Sequence, residues 1–425
     1  MKENDHIDNT LNHLFRQESG KMVAVLIKIF GTENIEMAED VVQDALVSAL
    51  ETWKFRGMPD NPRAWLYRTA KNKAIDIIRR SKHRRLIDFS DPNKQLLTSG
   101  YTLNTTMDNY WKEDQIQDDF LAMMYACCHP DISQENQITF ILKSLCGFST
   151  KEVARSFLTS EDTISKRLYR TKEYFRKHKI RPKIPTPNEI TTKTVTVLNA
   201  IYLMFNEGYN TTHTDQLIRK DLIEQAMLLC RSLLSLERTQ LPEVYALMAL
   251  MCFHAARIDS RITNEGELIL LAKQDRTQWD TASIQSGEEY LNKAAFGTTL
   301  TTYHIEAAIA YEHCIAKQYK DTNWAAILKY YNLFLDLTHD PIVFLNRCMV
   351  VLELQGPDKA LEALQTIKDN KVLEKYYLYH ATLGEIYQRL QQNTKAVSCY
   401  QKAIQLTQSK QEQKFLNDKV AGILN

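Results

Sequence analysis

Glycine and proline are scarce in this chain, 12 and 10 among 425 residues, and runs that alternate apolar with polar residues are few. A β-rich fold needs both turn residues and alternation. Their shortage leaves an all-α chain as the expectation, with apolar residues recurring every three to four positions. No run of about 18 apolar residues occurs, so no membrane span is expected. The opening Met-Lys-Glu-Asn-Asp-His lacks the apolar stretch of a secretion signal, and a cytoplasmic location follows as an expectation. Eight cysteines are scattered without a C-x-x-C pair, and the adjacent Cys127 and Cys128 are too close for an ordinary bridge. Reduced, buried thiols are expected. Adjacent cysteines also chelate one metal poorly, and Cys127-Cys128-His129 has no second ligand pair at finger-like spacing, so neither metal nor cofactor is expected. The patterns GxxxxGK[ST], HExxH and GxSxG are absent, which leaves no catalytic residue to nominate and no enzyme to propose. Net charge is only +1, so any nucleic-acid contact must rest on local basic clusters balanced by acidic segments elsewhere.

What the sequence does contain is helix punctuation around basic segments, in a chain long enough for two to four domains. Residues 149 to 176 read as a helix-turn-helix. Ser149 with Glu152 makes a capping box for a first helix, and Thr159 or Ser160 can cap a second. Val153, Ala154 and Phe157 can face inward on the first helix, as can Ile164 and Leu168 on the second. The opposite face carries Ser165, Lys166, Arg167, Tyr169, Arg170 and Lys172, and residues 166 to 183 hold nine Lys or Arg against one acid, Glu173. Such a face suits a major groove.

Toward the amino terminus, residues 8 to 30 suggest two short helices split near Ser19-Gly20. A longer helix follows from about Glu36 to Phe55, burying Ala38, Val41 or Val42, Ala45, Ala49 and Trp53 and turning Asp40, Gln43, Asp44, Val47 and Glu51 outward. The loop Arg56 to Pro62 breaks it. The next helix, Arg63 to about Leu86, starts aromatic and ends with seven Lys or Arg against one Asp76 between Lys71 and Arg85. Trp65, Tyr67, Arg68 and Asn72 precede that run, and aromatics beside cations can hold unstacked bases while gripping the backbone. Residues 87 to 113 are polar and weakly periodic, so they read as a flexible tether able to stretch to about 90 Å. Phe120, Leu121, Met124, Ile138, Phe140, Ile141 and Leu145 then supply a core for the helix-turn-helix.

Taken together, Ala-Glu-Asp-Val-Val-Gln-Asp-Ala-Leu at 38 to 46, Pro-Arg-Ala-Trp-Leu-Tyr-Arg-Thr-Ala-Lys-Asn-Lys-Ala-Ile-Asp at 62 to 76, Cys-Cys-His-Pro at 127 to 130 and the helix-turn-helix resemble bacterial RNA polymerase sigma factors of the extracytoplasmic-function group. That resemblance implies domains at 1–86 (region 2), 87–117 (linker), 118–180 (region 4), 181–187 (proline-rich connector) and 188–425 (helical extension). It implies two partners, core RNA polymerase and promoter DNA. Asp40, Gln43 and Asp44 would dock on the clamp of the largest subunit. Trp65, Arg68, Asn72 and Asp76 would lie at the promoter element near the start site, with Asn61 in the preceding loop and Arg79 and Arg80 farther along the helix. Thr163, Lys166, Arg167 and Arg170 would read the more distant element.

The last 238 residues exceed what a minimal sigma factor needs. Leu383-Gly384, Tyr387, Ala396, Tyr400 and Ala403 fall at the offsets of a tetratricopeptide helix pair, and Ala360, Leu364 and Ile367, then Ala326, Tyr330 and Leu333, echo its second helix upstream, so repeats are expected from about 307. Upstream, Tyr202 to Tyr209, Ala255 to Asp259 and Gln274 to Asp280 resemble the extension of one subgroup of these factors. Asp275, Arg276, Trp279 and Asp280 read either as a buried ion-pair joint or as a regulatory site for an unknown protein or ligand. The rival reading of the whole chain is a repeat-based interaction protein with a DNA-binding helix-turn-helix and no sigma activity.

Overall fold

The computed structural model describes residues 2–84, 87, 95–97, 99, 102–157, 159–210, 218–263, 269–367, 370–407 and 409–424. Among them the chain is helical, without a β-strand, as the periodicity requires. It divides into two compact units, Met1–Gly208 with Lys220–Thr239, and Tyr209–Arg219 with Gln240–Asn425.

The first unit opens with α1 (Lys2–Phe30), α2 (Ile35–Arg56) and α3 (Pro62–Arg84). Met22, Val23, Leu26, Ile27 and Phe30 of α1 pack with Ala38, Val41, Val42, Ala45, Ala49 and Trp53 of α2, all buried. The break expected at Ser19-Gly20 does not occur, and α1 runs straight through. Gly20 serves a tertiary purpose instead: a Cβ there would overlap the carbonyl of Leu145, so its bare backbone is where another segment makes its closest approach.

The expected tether is helical over α4 (Leu103–Tyr110), and α5 (Glu113–Cys127) starts before its end. The correction has a physical cause. Leu103 and Met107 are buried, Lys71 pairs with Asp108 at 2.5 Å, and the Trp111 ring lies 5.5 Å from that of Tyr67. Lys28 reaches Asp119 at 2.5 Å, so α5 is held against α1.

The helix-turn-helix follows as α6 (Gln134–Phe140), a π-helical turn Ile141–Leu145, α7 (Thr150–Ser156) and α8 (Glu161–His178). The capping box is present. Ser149 N–H donates to Glu152 at 2.6 Å and Ser149 Oγ accepts from Glu152 N at 3.2 Å. Ser160, rather than Thr159, caps α8. Ser149→Ala removes the acceptor and is expected to lower stability by about 1 kcal/mol. Urea unfolding checks this, and an unshifted midpoint would mean the cap contributes nothing.

Residues 179–186 leave the helical path, and α9 (Pro187–Tyr209) and α10 (Lys220–Leu234) follow. Helix α9 bonds to α5 and α6, through Tyr125 with Thr194 at 3.0 Å and Thr196 to Gln137 at 3.1 Å, while α10 packs on α1, where Gln225 donates to the Arg16 carbonyl. The boundary expected at 187/188 falls inside the first compact unit, which runs through α9 to Gly208.

The second unit is a succession of helices, each packed on its neighbours: α11 (Pro242–Ala255), α12 (Thr281–Ala294), α13 (Thr302–Ile315), α14 (Trp324–Thr338), α15 (Pro341–Gln355), α16 (Pro357–Gln365), α17 (Lys371–Glu374), α18 (Tyr377–Arg389), α19 (Asn393–Leu406) and α20 (Lys410–Leu424). In the α18–α19 pair, Gly384 lies against the Tyr400 ring, and Ala396 and Ala403 are buried beside it. Ala360 and Leu364 are buried at the corresponding places of α16, but Leu333 of α14 is exposed. None of the eight cysteines is in a disulfide, and six of them are buried. Burial pushes the thiols of Cys127 and Cys128 up, that of Cys128 to about 12.

Candidate nucleic-acid interface

Helix α3 buries Leu66, Ala70, Ala74 and Ile78 against the rest of the unit, which fixes what its other side presents. Arg68, Asn72, Asp76, Arg79 and Arg80 are exposed along that side, three or four residues apart for the most part. Arg68 and Asn72 make no hydrogen bond or ion pair with any described residue. Arg79 lies 3.8 Å from Asp76, and Arg80 Nε donates to the Asp76 carbonyl at 3.2 Å, a loose arrangement that leaves both guanidinium ends available. Trp65 is half-buried with its ring edge-on to Trp53 at 5.6 Å, so the wall of the stripe is rigid. Asn61 accepts from Ala64 N at 2.9 Å and starts the helix.

Behind the stripe, Arg63 contacts Glu18 at 3.2 Å and Glu113 at 2.6 Å, while Tyr67 donates to Glu18 at 2.5 Å. Burial first, and then the Glu18 carboxylate, push the Tyr67 hydroxyl well above its ordinary range, which keeps it a neutral donor. Sequence reasoning placed Arg63 and Tyr67 on the helix but missed this network, whose acid lies 45 and 49 residues away. It also missed Phe55 as an individual candidate. That ring, 91% exposed at the last turn of α2, stands beside Gly57, whose φ of 81° turns the chain into the loop. An aromatic between Lys54 and Arg56 on the polar side of an amphipathic helix was the available signal.

On α2, Asp40, Gln43 and Asp44 are exposed at successive positions of one face. The acidic residues one turn earlier are engaged. Glu36 pairs with Arg176 of α8 at 2.8 Å, and Glu39 with Lys172 at 2.5 Å and Ser144 at 2.9 Å. Helix α8 is thereby divided. Its carboxyl half is held to α2, whereas Lys166 and Arg170 in the amino half are exposed, Lys166 touching only Asp162 at 2.7 Å and Arg170 no described residue. Thr163 shares its hydroxyl with the cap Ser160, and Arg167 lies over the Phe157 ring at 5.1 Å, so these two line the edge of the face. Lys172, expected on the open face, is turned to Glu39 because acids and bases from two helices meet there.

In the second unit, Asp275 accepts from Thr277 N at 3.0 Å and stays exposed, whereas Trp279 is buried and Arg276 reaches inward to backbone carbonyls. Among the described residues no group of three or more His, Cys, Asp or Glu side chains is placed to hold a metal ion, and no helix is long and apolar enough to cross a membrane.

The segment bearing α2, the loop and α3 is similar to a known domain: residues 14–84 match the family description Sigma-70 region 2, a domain of RNA polymerase sigma factors. That family in general binds core RNA polymerase and promoter DNA, which supports a sigma-factor role for the chain. Residues 193–295 match a family of unknown function, DUF6596. An uncharacterized protein of Rhizobium meliloti (strain 1021) is 29% identical over 394 residues, 93% of this chain and 91% of the relative. No solved structure matches the chain.

Proposed function

We propose that the chain is a cytoplasmic sigma factor of the extracytoplasmic-function group, with a tetratricopeptide-like extension that regulates activity or binds a partner. Asp40, Gln43 and Asp44 dock on the clamp of the largest polymerase subunit. Trp65, Arg68, Asn72, Arg79 and Arg80, with Asn61 in the loop before them, take the promoter element near the start site. Thr163, Lys166, Arg167 and Arg170 take the upstream element in the major groove. The observation that carries the reading is the exposed stripe of α3, which lies inside the region 2 match and holds Arg79 and Arg80 only through Asp76 on the same helix, with Arg68 meeting no described residue. Opening a duplex costs a few kcal/mol per base step, and a stripe that grips the backbone beside a projecting aromatic offsets that cost. No catalytic group is required of this chain, since the polymerase performs the chemistry.

Run-off transcription tests the proposal. Core polymerase with the full chain is expected to initiate at defined positions on fragments of the source genome, and core polymerase alone is not. Asp40→Arg with Asp44→Arg is expected to reduce both core binding and run-off product at least tenfold, about 1.4 kcal/mol or more, while duplex binding persists. If adding the chain selects no start site, the assignment fails.

A further inference from the structure

The second unit gathers three arginines that no carboxylate of a described residue meets at ion-pair distance. Arg257 lies in the turn after α11, Arg261 one turn on, and Arg276 in a short 3-10 turn before α12. Trp279 is sandwiched between two of them, with the guanidinium carbons of Arg257 and Arg276 at 5.4 and 5.0 Å from its ring centre. His254 precedes Arg257 by one turn, and His313 comes from the last turn of α13. None of the three arginines forms an ion pair among the described residues. Of the nearby acids, Asp275 holds Thr277, Asp280 caps α12 through Ala282 and Ser283, and Asp321 acts on Arg276 without closing into an ion pair.

Two of the guanidinium groups are already committed. Arg276 donates to the carbonyls of His313 and Ala316, both at 2.8 Å, and to Thr322 at 3.2 Å. Arg261 donates to the Tyr209 carbonyl at 2.6 Å and to Asn210 at 2.8 Å, lying 3.7 Å above the Tyr209 ring. Arg257 differs. Its side chain makes no hydrogen bond with a described residue, and its Nε is buried without a partner among them, as are Arg276 Nε, Trp279 Nε1 and His313 Nδ1. It also stands at the centre, since its charge acts on Arg261, Arg276, His254 and His313 alike. Burial, then Arg257 and Arg276, hold the His313 imidazole down at about 3, and burial, then Arg257 and Arg261, depress His254. Both rings are therefore neutral at pH 7, and His313 keeps a buried ring nitrogen to offer.

Half-buried like charges without a counter-ion are costly, and a fold that retains three of them beside orphaned donors has the makings of an anion site. We propose that this cluster binds a phosphoryl-bearing small anion, received by the fork of Arg257 and the field of Arg261 and Arg276. The planar fork suits both carboxylate and phosphate, but three fixed positive charges favour the dianion. The site lies mostly within the DUF6596 match, and it stands apart from the sigma-factor reading, because it can be tested without polymerase or DNA.

The test is a melting series on the full chain in inorganic phosphate, sulfate, acetate and chloride at matched ionic strength. Phosphate and sulfate are expected to raise the melting temperature with half-saturation at about 1 mM or below, and acetate to act as chloride does. Arg257→Gln is expected to lose at least tenfold of that response, Arg257→Lys to keep part of it, and Lys293→Gln on exposed α12 to keep all of it. Ligand-free Arg257→Gln is expected to melt at or above the wild type, since it relieves repulsion. A phosphate response equal in wild type and Arg257→Gln is general salting and overturns the proposal, and so does an acetate response matching that of phosphate. A ligand-free Arg257→Gln that melts well below a wild type indifferent to phosphate assigns the cluster to structure and overturns it too.

Discussion

Lys166→Ala combined with Arg170→Ala is expected to weaken binding to promoter DNA about a hundredfold, with the melting temperature unchanged. Each contact from a recognition helix to a base edge or phosphate is worth about 1–3 kcal/mol, so two lost contacts cost about 2–6 kcal/mol, and a hundredfold loss sits toward the lower end of that range. Stability is spared because both side chains are exposed, and the only described partner of either is Asp162, one turn away on the same helix. Fluorescence anisotropy across a salt series is the measurement. The slope of log affinity against log salt should shrink by up to about two, one for each phosphate contact removed. Affinity within threefold of the wild type would show that the open half of α8 is an ordinary solvated face. The same replacement at Lys172 and Arg176 acts elsewhere, since those residues hold α8 to Glu39 and Glu36.

The second large effect is expected at Gly20. In an isolated helix, Gly20→Ala would stabilise by about 1 kcal/mol, because glycine is a poor helix former. Here the added methyl would meet the carbonyl oxygen, carbonyl carbon and Cα of Leu145, which are backbone atoms of the π-helical turn and cannot swing aside. Overpacking of this kind costs about 3 kcal/mol, so the clash wins over propensity. Urea unfolding followed by circular dichroism should show a clear loss of stability. A variant as stable as the wild type would mean that α1 and the π-helical turn do not meet as described.

Comparison of these two sites shows what a sequence discloses. The helix-turn-helix was legible because its signals are local: Ser149 and Glu152 are three residues apart, and Ile164 follows at helical spacing. The faces of α2 and α3 were legible for the same reason, and Val41 and Val42 proved both to be inside. Gly20 was misread because local propensity says break, while the reason for the glycine lies 125 residues downstream. Polar composition at 87 to 113 concealed α4, whose two buried residues suffice once α3 offers them a surface. The bond between Arg176 and Glu36 spans 140 positions, and no periodicity reports such a pair. The Arg257 cluster was half visible. Arg276 and Trp279 stood out in their charged, aromatic segment, but Arg257, inside the segment Ala255 to Asp259, has nothing local to tie it to them until the turn folds onto the ring.

The unbridged cysteines give the molecule a reporter of its own. Cys127, Cys128, Cys146 and Cys230 belong to one compact unit, and Cys252, Cys314, Cys348 and Cys399 to the other. The thiolate is the group that attacks an alkylating reagent, so burial slows the reaction in the folded state, and a raised pKa slows it further at Cys127, Cys128, Cys146, Cys314, Cys348 and Cys399. Mass spectrometry of partly denatured, pulse-alkylated protein would thus tell which half opens first, with no engineered label and no reducing agent to remove.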